Sequence, residues 1–100
     1  AAAGPRAAPD RAGELARRLR NVFAADVPVR RAELELAIQK ENREAAGRVL
    51  HGIRGSAAYV GAAELTVLCA ELEAAADGGR WGAVRAGWPA LCALLDDFVP

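Results

Sequence analysis

The only histidine in these 100 residues, His51, stands in the stretch Leu50-His51-Gly52-Ile53-Arg54-Gly55-Ser56-Ala57-Ala58-Tyr59-Val60-Gly61. A neutral imidazole is a competent nucleophile toward phosphorus. Free imidazole titrates near about pH 6.5, so its neutral form is abundant at neutral pH. The product is a phosphoramidate, which keeps high transfer potential because nitrogen leaves readily once protonated. Leu50, Ile53, Ala57 and Val60 recur at steps of 3, 4 and 3, the signature of one buried helical stripe. His51 falls off that stripe, and Arg54, Gly55 and Ala58, at +3, +4 and +7 from it, share its outward face. Glycine inside a helix costs about 1 kcal/mol relative to alanine, yet Gly47, Gly52 and Gly55 crowd this segment. In an alanine-rich chain that choice points to clearance: bare backbone at Gly55 lets a foreign surface approach the ring.

The flanking residues suit a transferred phosphoryl group. Arg54 can bring a guanidinium to its oxygens; pairing with a surface acid is the plain alternative. Arg48, at −3, is expected on the same side, while Gly47, at −4, and Ala58 keep the neighbouring turns low. Ser56 and Tyr59 are expected to pack. Phosphoryl transfer is mostly positioning and neutralisation of charge. The chain has no GxxxxGK(S/T) loop and no carboxylate cluster suited to Mg²⁺, so it is not expected to use ATP itself. Cys69 and Cys92 lie in apolar helical patterns without a CxxC partner and read as reduced core thiols rather than a metal site or a disulfide. A cysteine–histidine hydrolase would need a thiol beside His51, which faces the other way.

The elements that hold this stretch are helical. Few β-branched residues and many Ala, Leu, Arg and Glu favour helix, and no strand pattern is present. Residues 1–9, AAAGPRAAP, read as a flexible linker or terminus, leaving residues 10–100 as one domain. Asp10 is placed to cap a helix over 11–24, with Leu15, Leu19, Val22 and Phe23 inward. Asp26 is placed to cap a second over 27–40, with Pro28 in its first turn; there Val27, Leu34 and Ile38 make one face, and Val29 and Leu36 widen it to a band that implies two neighbours. Asn42 caps a third helix, over 43–59. A fourth spans 62–77 and a fifth 80–97, with Gly61 and Gly78-Gly79 as breaks. Short connections favour antiparallel neighbours. The expected fold is all-α: an up-down four-helix bundle with the first helix packed across one end.

Formal net charge is zero, so global electrostatics give no reason to expect nucleic acid or an anionic membrane as partner. The charge is uneven: residues 1–31 carry seven arginines, and residues 56–100 carry six acids against Arg80 and Arg85. The arginines over 11–20 read as a solvated face. No run approaches the roughly 18 apolar residues of a membrane span, and no signal-peptide core opens the chain, which suits a cytoplasmic module.

His51, Ile53, Arg54, Gly55, Ser56 and Ala57, followed by Gly61 and Leu65, resemble the signature of histidine-containing phosphotransfer (HPt) domains. Asn42, nine before the histidine, and Asp26-Val27-Pro28 extend the likeness, which covers residues 10 to 98. Arg54 stands where lysine is commoner, and Gly52 where a larger residue is usual. The resemblance implies a carrier that accepts a phosphoryl group on His51 from a receiver-domain aspartate and passes it to the aspartate of a response regulator. It implies no cofactor of the chain's own, the partner receiver supplying Mg²⁺. It also implies a place at the C-terminus of a hybrid sensor histidine kinase, at the cytoplasmic end of a membrane-anchored chain. The competing reading is a helical interaction module without chemistry, whose binding would survive loss of His51.

Overall fold

The computed structural model describes the backbone of residues 3–99 and the side chains of 11–99. Four helices follow one another: α1 (Ala3–Gln39), α2 (Arg43–Tyr59), α3 (Ala63–Asp77) and α4 (Trp81–Asp96), with no strand among the described residues. None is long and apolar enough to cross a membrane. α2 lies between α1 and α3, and α4 closes the ring by touching both α3 and α1.

The core follows the apolar stripes. Val49, Leu50, Ile53 and Ala57 of α2 meet Leu34 and Ile38 of α1, Leu65, Cys69 and Leu72 of α3, and Trp81, Val84, Leu91 and Leu95 of α4. Among the described residues no polar or charged one is buried, so their interior is held by apolar burial. Asn42 caps α2 as its composition suggests: its side-chain oxygen accepts from the Ala45 N–H at 3.1 Å. Gly61 and Gly79 take left-handed backbone, with φ of 73° and 69°, where a side chain would be strained. α3 and α4 approach closely at Gly87, where a Cβ would stand 2.6 Å from Leu72 Cδ2.

The sequence predicts two helices between 11 and 40, and the structure has one. α1 is helical from Ala3, through most of the stretch read as a linker, and passes Asp26-Val27-Pro28 without a break. Two causes are visible. Phe23, Val27, Leu34 and Ile38 are all buried at steps of 4, 7 and 4, so one unbroken stripe binds the helix to the bundle on both sides of the proline. Pro28 itself is exposed, so the carbonyl its missing N–H would have bonded lies within reach of water. Among the described residues no separate helix crosses the end of the bundle. The turns of α1 from Arg11 to Arg18 are instead wholly exposed and run past it. Thirty-seven residues make a helix of about 55 Å, which accounts for the 59 Å long axis of the molecule.

Leu15, Val22, Val29 and Leu36 were expected inward and are exposed; α1 does have the two neighbours that the wide band implied, α2 and α4, but neither covers these four residues. Contacts beside the overhanging turns pin α1 to the C-terminal end of α4. Phe23 and Phe98 meet edge to face at 4.9 Å, Arg20 lies over the Phe98 ring, and Arg31 pairs with Asp96 at 2.5 Å. That pair offsets the unfavourable position of an acid at a helix C-terminus.

Candidate functional site

α2 offers one face to the core and the opposite face to solvent, and His51 stands midway along the outer one. Its side chain is 68% exposed. The ring leans toward α3, where Nδ1 lies 3.2 Å from Glu73 Oε1. Arg54, one turn on, closes a triangle: Nη2 donates to His51 Nδ1 at 2.9 Å, and Nη1 lies 3.3 Å from Glu73 Oε2. That last contact has ion-pair distance without hydrogen-bond alignment, since Glu73 Oε2 is buried and has no hydrogen-bond partner. Arg54 thus does pair with an acid, and it reaches the imidazole as well.

One nitrogen cannot serve both neighbours at once. With the proton on Nε2, Nδ1 accepts from Arg54. With the proton on Nδ1, it donates to Glu73 and repels the Arg54 N–H. Nε2 makes no hydrogen bond among the described residues, so it is the nitrogen open to a reactant.

The glycines divide into two kinds. Cβ atoms added at Gly47 and Gly55 would meet nothing within 4 Å, whereas one at Gly52 would stand 3.3 Å from the Arg30 guanidinium of α1. Gly52 therefore makes room inside the molecule. Gly47 and Gly55 leave open backbone on the two sides of the ring, with exposed Ala58 beyond.

A family model described as Hpt domain matches residues 18–99. The chain belongs to the Hpt family. No curated protein and no solved structure matches it. Hpt domains carry out histidine phosphotransfer in phosphorelays, as carriers rather than kinases, and they interact with receiver domains of two-component systems.

In this Hpt domain one expected site residue lies apart from the others. Arg48 does not join Arg54 at the ring; it borders a groove on the far side of α2, with Leu36 and Lys40 of α1. Gly47 lines the groove toward α3, along with Arg54, Glu73 and Asp77. Tyr59 does not pack but is 81% exposed. Ser56 is half-buried beside Phe23 and Val22 of α1. Among the described residues no group of His, Cys, Asp and Glu could hold a metal ion. Both thiols are free, and Cys69 is buried.

Glu73 is the residue that reading the sequence missed. It follows Cys69 by four and Leu65 by eight, which puts an acid at the edge of the inward stripe of α3. A carboxylate so placed needs a partner, and that was the available signal.

Proposed function

We propose that His51 is the phosphoacceptor of this Hpt domain, taking a phosphoryl group from a receiver-domain aspartyl phosphate and handing it to the aspartate of a response regulator. The observation that carries this is the ring itself: exposed at mid-helix, with Nδ1 between Arg54 and Glu73, Nε2 free, and open backbone at Gly47 and Gly55.

The Nε2 lone pair attacks phosphorus. The N–P bond forms as the bond from phosphorus to the acyl oxygen breaks, and the receiver's carboxylate leaves with that electron pair. The ring then carries positive charge, which Glu73 offsets through Nδ1–H. For Nε2 to hold a lone pair, the proton must sit on Nδ1. Arg54 opposes that arrangement until the incoming phosphoryl oxygens draw its guanidinium away. Arg54 then neutralises their charge, the largest demand such a transfer makes. The Mg²⁺ of the reaction belongs to the receiver.

The reading carries with it a cytoplasmic location and an up-down helix arrangement. The family resemblance adds a place at the end of a hybrid sensor kinase. The test mixes the domain with phosphorylated receivers and follows acid-labile, base-stable label. Label on the wild type and none on a folded His51→Gln variant is expected. Equal labelling of the two would remove His51 from the mechanism. The interaction-module reading predicts partner binding without label.

A further inference from the structure

Seven large apolar residues are exposed on the described surface, and four of them, Leu15, Val22, Val29 and Leu36, lie on α1 at intervals of seven. They are 51% to 64% exposed. The residues three further on are Arg18, Ala25, Ala32 and Gln39, so the alternating three-and-four apolar spacing of a helix-pairing seam holds at the centre, Val22-Ala25-Val29-Ala32, and Leu15 and Leu36 extend it by one heptad on each side. The row extends about 32 Å along the helix. It is separate from the stripe Phe23, Val27, Leu34 and Ile38 that meets the bundle. Ala25 and Ala32 are small enough at its centre to let a second helix approach closely.

We propose that α1 pairs antiparallel with α1 of a second copy of this chain. Charge selects both the partner and its direction. From 11 to 24 the helix carries Arg11, Arg17, Arg18 and Arg20 against Glu14. From 25 to 39 it carries Asp26, Glu33 and Glu35 against Arg30 and Arg31, and Arg31 is already paired with Asp96. A parallel pair would set the two arginine-rich ends side by side. An antiparallel pair, with its axis between Ala25 and Val29, sets the arginines of each copy along the carboxylates of the other. It also sets Val22 opposite Ala32 of the second copy. The overhanging turns of each α1 then lie along the other copy's bundle, beside the groove of Leu36 and Ala45. His51 leans to the α3 side of α2, so its ring stays open in the pair.

The measurement is the mass of the unphosphorylated 100-residue chain by sedimentation equilibrium from micromolar to millimolar concentration, so its result does not depend on the relay. Twice the 10.4 kDa monomer mass is expected. Val22→Lys with Val29→Lys should return the monomer with helix content kept, since lysine is the better helix former. That variant should still accept phosphate on His51. For direction, Val22→Cys and Ala32→Cys chains, both in a Cys92→Ser background, should cross-link when mixed. Val22→Cys alone should not cross-link, because its two copies stand about 15 Å apart along the axis. A wild type monomeric throughout, or a dimer indifferent to the two lysines, overturns the pairing. Self-linking of Val22→Cys overturns the direction. A monomeric wild type whose lysine variant no longer accepts phosphate would assign the row to receiver docking instead.

Discussion

At His51 the sequence pointed to the proposed phosphoacceptor and to half of its setting. The helical stripe placed the ring outside, and the run of glycines marked the open backbone around it. Both follow from local periodicity, which a single stretch carries. Glu73 could not be found that way, because it comes from α3 and reaches the ring only through packing. Likewise Arg48 shares the outer face of α2 with His51, yet its side chain has the groove toward α1 beside it. Arg54 and Glu73 pull on one nitrogen in opposite senses, so their removal should have opposite effects on the ring. Glu73→Ala should move the neutral imidazole toward the Nε2–H tautomer, and Arg54→Ala toward Nδ1–H, as read from ¹⁵N chemical shifts. Glu73→Gln keeps an acceptor but loses the charge that offsets the phosphorylated ring. It should slow transfer by about tenfold, equivalent to about 1.4 kcal/mol, with the fold intact. Unchanged tautomer ratios in both alanine variants would reduce the triangle to a surface ion pair.

Helices α2 to α4 were legible almost to the residue, because each is bounded by chemistry that acts locally: the Asn42 cap, and the positive φ of Gly61 and Gly79. α1 was not. Asp26-Val27-Pro28 carries every local mark of a helix start, and tertiary burial of Phe23 and Val27 overrides it. This conflict can be measured. Proline in a helix interior costs about 3 kcal/mol, while proline in a first turn costs almost nothing. If α1 is continuous, Pro28→Ala restores an N–H to the ladder at an exposed position, and denaturant unfolding should show stabilisation of about 1–3 kcal/mol. A broken helix would instead leave stability unchanged or lower it, because alanine loosens the unfolded chain.

On the scale of the whole bundle, the wholly apolar interior sets how stability responds to pH. Among the described residues Cys69 is its one buried titratable side chain. Burial pushes its thiol up from 9.0 to about 12, the nearby Glu73 carboxylate adds to the rise, and Arg54 opposes it. Above pH 9 the unfolded chain therefore gives up this proton while the folded chain keeps it. The unfolded state then binds fewer protons, and unfolding free energy falls by about 1.4 kcal/mol for each pH unit. Below pH 9 both states hold the proton and the thiol contributes no slope. Other groups ionise in the same alkaline range, so the quantity to measure is a difference between variants. Cys69→Ala should be less stable than wild type at pH 8 because it leaves a small cavity. That deficit should shrink as pH rises through 9 and 10, because only the wild type is penalised there. Denaturant melts of both chains at these pH values decide it. Parallel curves would mean that the thiol ionises within the folded bundle and that water reaches the floor of the α2–α3 interface beneath Arg54 and Glu73.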